Sequence, residues 1–133
     1  MKKTILVSIM PLLALFIFVA AYSPSPIVPP VSDDLDLGWP DEVMTLLKQS
    51  CFDCHSSDGG NIKAKAELNF SKWDNYKLTK KINKLTAISE EVKAKNMPPQ
   101  KYLNKNPHAI LSDEEISVIV QWANTEADKL MEE

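Results

Sequence analysis

The sequence predicts an all-α fold, and three observations carry that prediction. Apolar residues recur at i, i+3, i+4 spacing in Val43, Leu46 and Leu47, and again in Ile116, Ile119, Val120, Ala123, Ala127 and Leu130. Ser112-Asp113-Glu114-Glu115 has the form of a capping box, a serine N-cap with a glutamate three residues later. No segment shows the sustained alternation of a half-buried strand, and no internal repeat is present. At 133 residues the chain is long enough for one small domain behind an N-terminal segment.

Residues 1–21 read as a targeting segment. Lys2 and Lys3 form a positive n-region, Ile5 to Ala21 is apolar and uncharged, and Val19-Ala20-Ala21 places small residues at a cleavage point. The apolar run is long for a signal peptide and short for a spanning helix, so cleavage and retention as a membrane anchor over residues 4–21 both stand as expectations. Either outcome puts the folded part outside the cytoplasmic membrane, in a periplasmic or other extracytoplasmic setting. Residues 22–40 read as a linker. Ser23 to Pro30 holds four prolines in eight residues, which favours an extended, semi-rigid chain. Gly38-Trp39-Pro40 closes this segment, and the whole of it is expected to be exposed.

The core domain is expected over residues 41–133. Pro40 suits a helix start, and Asp41 and Glu42 favour the positive end of a helix dipole, so Asp41 to Ser50 reads as a helix. It runs directly into Cys51-Phe52-Asp53-Cys54-His55. Ser56 to Glu67 reads as a loop, with Asp58-Gly59-Gly60-Asn61 as its turn. Lys72 to about Lys84 reads as a helix with Ser71 as N-cap and with Ile82, Leu85, Trp73 and Leu78 facing inward. Ile88 to about Lys95 reads as a separate helical piece with Ser89 as N-cap. Pro98 and Pro99 forbid its continuation. The last helix follows Ser112 and is expected to reach about Leu130.

Cys51-Phe52-Asp53-Cys54-His55 is C-x-x-C-H, the attachment signature of c-type haem. Two thiols at that spacing can add across the two vinyl groups of a haem, and the adjacent histidine can bind the iron. Both cysteines of the chain are here, with one of its two histidines. Three other readings compete. A disulfide across so short a loop would staple little. A thioredoxin-like redox pair expects a βαβ context that is absent. A zinc site from Cys51, Cys54, His55 and His108 would need Cys54 and His55, which are adjacent, as joint tetrahedral ligands.

His55 is the expected proximal ligand. For the sixth position Met97 is preferred, because it sits where a helix ends, beside two stiffening prolines. His108 is the alternative; bis-histidine ligation gives a lower potential than His/Met. An open sixth site would admit small gases or peroxide. Trp73, Tyr76, Tyr102 and Trp122 are candidates to line the pocket or hydrogen-bond a haem carboxylate, and equally to be plain core, with Trp122 expected to pack in the core and touch the haem from the C-terminal helix. The chain has no arginine, so lysine, tryptophan or tyrosine must contact the haem carboxylates.

These pieces resemble the exported bacterial haem-binding domain family and, more broadly, a small class I cytochrome c. The likeness is carried by Cys51-Phe-Asp-Cys-His-Ser56, Leu68-Asn-Phe-Ser-Lys-Trp73, Met97-Pro-Pro-Gln-Lys-Tyr102, Pro107-His-Ala109 and Leu111-Ser-Asp-Glu-Glu115 with Trp122, over about residues 41 to 128. It departs after the haem motif, where that family usually has a longer stretch with a Pro-Trp-Tyr element. The resemblance implies a cytochrome c-like domain of three to five helices around one covalently attached haem c.

The expected function is single-electron transfer rather than enzymatic turnover, since no general acid–base set is visible. A haem-based gas or redox sensor, or a peroxidase-like domain, is the alternative, and a structural module with haem as a staple is a third. Dropping Lys2 and Lys3 from 15 lysines leaves 13 against 18 carboxylates, a formal −5 for residues 22–133, which disfavours nucleic acid as a partner. Lys93, Lys95, Lys101 and Lys105 cluster around Met97 and suggest docking of an acidic redox partner.

Overall fold

The computed structural model describes residues 35–132. The targeting segment at 1–21 and the proline-rich stretch to residue 34 lie outside the described residues. Among the described residues, secondary structure is entirely helical. Six α-helices occur: α1 Asp41–Ser50, α2 Phe52–His55, α3 Ile62–Glu67, α4 Leu78–Lys93, α5 Gln100–Leu103 and α6 Asp113–Met131. Single 3-10 segments occupy Phe70–Asn75 and Pro107–Ala109. No helix among the described residues is long and apolar enough to cross a membrane.

α4 and α6 form the principal packed pair, and α1 also packs against α6. α6 begins as its sequence dictates: Ser112 Oγ accepts from the Glu115 N–H at 3.2 Å, and Glu115 Oε2 accepts from the Ser112 N–H at 2.7 Å. Its stripe buries Ile119, Ala123 and Ala127, with Ile116, Val120 and Leu130 half-buried at the margins. α1 has the expected bounds and buries Val43, Leu46 and Leu47.

Several expectations are corrected. Trp39 is not an exposed linker residue. It is 8% exposed and sits edge-on to Trp73 at 5.0 Å, Trp122 at 4.7 Å and Phe70 at 6.0 Å. A large aromatic ring is worth most when surrounded by others, so the domain draws in the chain as far back as Leu35 and Leu37. Residues 62–67 are helical rather than loop, capped by Asn61, whose side chain accepts from the Ala64 N–H at 3.0 Å.

The two helices expected over 72–84 and 88–95 are instead a short 3-10 segment and one continuous α4. Asn69, not Ser71, caps the 3-10 segment, and Ser89 is buried within α4. Leu78 is 44% exposed rather than inward. α4 ends in a Schellman motif: Asn96 N–H donates to Glu91 O at 2.9 Å and Lys95 N–H to Val92 O at 3.0 Å, with Lys95 at φ 57°. The helix thus stops at this reversal, before the prolines that were expected to end it, and the reversal brings Met97 back toward α4.

Candidate functional site

The C-x-x-C-H segment is itself helical. Cys54 N–H donates to Cys51 O at 3.1 Å and His55 N–H to the same oxygen at 2.9 Å. Positions i, i+3 and i+4 of a helical turn share one face. Cys51, Cys54 and His55 therefore point together, and all three line one cleft. Phe52, the first intervening residue, is 4% exposed and stacks on Phe70 at 5.0 Å. Its burial anchors the motif to the core and fixes which face turns to the cleft.

His55 is oriented through one nitrogen. Its Nδ1 lies 3.0 Å from Leu68 O and 3.1 Å from Ala64 O. Carbonyls only accept, so Nδ1 carries a proton, and the neutral ring in this orientation has its lone pair on Nε2. The acceptors come from the C-terminal end of α3, where Ala64 O also accepts from the Leu68 N–H at 2.9 Å and Leu68 itself is the capping residue. This arrangement is what a metal-ligating histidine requires: a backbone acceptor fixes tautomer and ring orientation. Sequence reasoning missed it because 62–67 was read as loop. Asn61 before a run of alanine, lysine and glutamate was the signal for α3.

The strand-like link after α3 is held by a small polar network. Asn69, 5% exposed, accepts from the Ser71 N–H at 3.0 Å and donates through Nδ2 to Ser57 Oγ at 3.3 Å. Its own N–H donates to Tyr76 Oη at 2.9 Å, and the Ser57 N–H donates to Ser71 Oγ at 3.0 Å. The network ties the residue next to Leu68 to the turn that follows His55. Gly59 supports the motif from beneath, since a Cβ there would lie 2.8 Å from Asp53 O and 3.1 Å from Cys54 C.

The cleft has a volume of about 340 Å³ and opens to solvent. Leu47, Phe70, Ile88 and Val92 supply apolar wall, and Met97, Pro98 and Pro99 supply another side. Met97 is 39% exposed and so sits at the rim. Tyr102 also lines the cleft, and its Oη donates to Asp53 Oδ2 at 2.7 Å. That bond joins α5, the element after Met97, to the motif helix. Burial first, and the bond to Asp53 second, push the Tyr102 phenol well above its ordinary range.

Both cysteines are free thiols. Burial, reinforced by the neighbouring Cys54, pushes Cys51 up to about 12; burial, reinforced by Asp53, also raises Cys54. A thioredoxin-type nucleophile needs the opposite shift. The four residues of the zinc reading are not gathered: among the described residues no group of three or more His, Cys, Asp or Glu side chains is placed to hold a metal ion.

Of the sequence-derived candidates, Cys51, Cys54, His55 and Met97 share the cleft, and His108 does not line it. His108 is exposed in the Pro107–Ala109 turn, where its backbone oxygen accepts from Gln49 Nε2 at 2.6 Å. Trp122 packs on Trp39 rather than lining the cleft, and Trp73 and Tyr76 are likewise outside it. Lys93, Lys101 and Lys105 are exposed, while Lys95 is engaged by Asp113 Oδ1 at 2.7 Å.

These residues fit a haem. An apolar cleft, two thiols one helical turn apart on its wall and an imidazole with a committed Nδ1 form a consistent donor set for that group. No curated protein and no solved structure matches the chain. Residues 62–125 match the family described as "Haem-binding domain". The match includes Met97 and His108 and begins after the C-x-x-C-H segment. The family and the donor set around the cleft agree on the cofactor: the chain carries a haem-binding domain.

Proposed function

We propose that the chain is an exported monohaem c-type cytochrome that transfers single electrons through a His55/Met97-ligated haem attached at Cys51 and Cys54. The observation that carries this reading is the convergence of all four side chains on one apolar cleft, with His55 Nδ1 already bonded to backbone carbonyls. When bound, the haem supplies one-electron chemistry, and the protein's levers are ligand identity, burial and hydrogen bonding.

Each residue then has a physical part. Leu68 and Ala64 carbonyls hold the imidazole so that Nε2 faces the cleft. Leu47, Phe70, Ile88 and Val92 exclude water from one side. Pro98 and Pro99 stiffen the segment that presents the Met97 thioether. Met97 is favoured over His108 because His108 lies outside the cleft. A methionine ligand raises the potential relative to a second histidine.

Docking falls to Lys93, Lys101 and Lys105, with an acidic redox protein as partner; Lys95 contributes less because Asp113 already holds it. Electron-transfer rates with such a partner fall as salt rises. Residues 1–21 direct the chain outside the cytoplasmic membrane, by cleavage or as an anchor.

The test is the absorption spectrum of the protein from an export-competent, haem-attaching host, oxidised and reduced. A low-spin spectrum with the weak red band of a thioether–ferric bond, lost in Met97→Ala, is expected. Haem must survive acid–acetone extraction in the wild type and be lost from a Cys51→Ala/Cys54→Ala variant. A low-spin spectrum without the thioether band would overturn Met97 as ligand, and a high-spin spectrum would move the function to ligand sensing or peroxide chemistry.

A further inference from the structure

We infer that Lys84 is the anchor for a haem propionate, held by Glu67 until the haem carboxylate replaces it. This rests on the cleft being the haem site. Haem carries two carboxylates, and a carboxylate brought against an apolar wall needs a cation or several donors in place of water. The sequence has no arginine, and among the described residues Lys84 is the one lysine lining the cleft. The other charged side chains there are Glu67 and Glu91, both repulsive to a carboxylate. Among the neutral polar liners, Ser50 Oγ donates to Ala109 O and Tyr102 Oη donates to Asp53, while Asn61, whose oxygen caps α3, offers an uncharged amide donor and no cation.

Lys84 is in a state suited to exchange. Its Nζ lies 3.8 Å from Glu67 Oε2, beyond hydrogen-bond distance. The lysine side chain is 23% exposed and the glutamate side chain 75% exposed. Glu67 can therefore return to water with little desolvation to undo, while Lys84 stays against the cleft wall. A propionate at bonding distance is a better partner than a distant, hydrated glutamate.

The position along α4 also sets direction. Lys84 and Glu91 are seven residues apart on the cleft face, about 10 Å along the helix axis. A cation at one end and an anion at the other favour one orientation of the macrocycle, carboxylate edge toward Lys84. Attachment to Cys51 and Cys54 needs the vinyl groups presented in one sense, so Lys84 pre-orients the group for thioether formation.

The experiment compares wild-type holoprotein with Lys84→Gln, Lys84→Arg and Lys80→Gln. Lys80 is an exposed lysine one turn earlier on α4, beside Tyr76 and outside the cleft lining. The readouts are the midpoint potential and the propionate bending band in resonance Raman. Lys84→Gln is expected to lower the potential, because an unpaired propionate stabilises ferric haem, and to shift the band. Lys84→Arg is expected to restore both, and Lys80→Gln to leave the band unmoved.

Equal shifts in Lys84→Gln and Lys80→Gln, or an unmoved band in Lys84→Gln, would overturn the inference. A wild-type protein without haem would instead overturn the underlying reading of the cleft. Should Lys84→Gln fail to load, acetylation of wild-type lysines read by mass spectrometry decides. Lys84 labelling, normalised to Lys80, should be several-fold lower in holoprotein than in apoprotein, and equal labelling would count against the anchor.

Discussion

Gly59 offers the sharpest test of how the motif is held. A Cβ at this position would lie 2.8 Å from Asp53 O, 3.1 Å from Cys54 C and 3.1 Å from Ser56 O. All three neighbours are backbone atoms of the motif segment, so no side chain can rotate away. The same backbone is fixed by Gly59 N–H donating to Ser56 O at 3.1 Å and Gly60 N–H donating to Asp53 O at 3.2 Å. Gly59→Ala must therefore either stretch these bonds or displace α2.

Overpacking of this kind costs about 1–3 kcal/mol. For a domain of this size that is a fall in Tm of roughly 4–24 °C, at about 4–8 °C per kcal/mol. Gly60→Ala is the control, since a Cβ there meets nothing within 4 Å. It should be neutral or stabilising by up to about 1 kcal/mol through the unfolded chain. The assay is urea unfolding of the holoproteins followed by far-ultraviolet circular dichroism. If the two variants unfold within about 0.5 kcal/mol of each other, the packing argument for Gly59 is refuted.

Further predictions concern the elements around the cleft. Tyr102→Phe removes the bond to Asp53 and should cost about 0.5–1.5 kcal/mol in the same assay. Folding raises the Tyr102 phenol above its ordinary 10.0, so its contribution is complete below pH 10 and is lost as pH rises past that value; Tyr102→Phe should flatten this alkaline loss in a pH series of urea midpoints. Asn69→Ala removes a cap and leaves Ser57 without its partner, which should destabilise by about 1–2 kcal/mol; no change in midpoint would show that the network does not hold the link. Lys95→Gly relieves a left-handed conformation worth about 1–2 kcal/mol and gives up only an exposed, salt-screened ion pair with Asp113, so a rise in the thermal unfolding midpoint is expected, and a fall would refute it.

Much of this molecule was legible in the chain because it depends on local chemistry. The capping box at Ser112 and Glu115, the α1 stripe and the length of α6 follow from hydrogen bonds and periodicities spanning four residues or a few turns. C-x-x-C-H needs no tertiary information either, since helical geometry alone sets Cys51, Cys54 and His55 on one face. Met97 was singled out on the same local grounds, as the methionine before two prolines.

Only the tertiary structure decided what lies around those residues. Trp39 looked like the end of a linker because its partners Trp73 and Trp122 are far away in sequence. α4 reads locally as two pieces, broken between about Lys84 and Ile88, because Ser89 looks like a cap, yet burial against α6 makes one helix the better solution. The carbonyls that orient His55 belong to Ala64 and Leu68, and backbone acceptors carry no sequence signature. Gly59 resembled an ordinary turn residue until the motif backbone was seen above it, and Lys84 was one of 15 lysines until the cleft formed around it. Local interactions determine which groups the chain possesses, while long-range packing determines which of them meet.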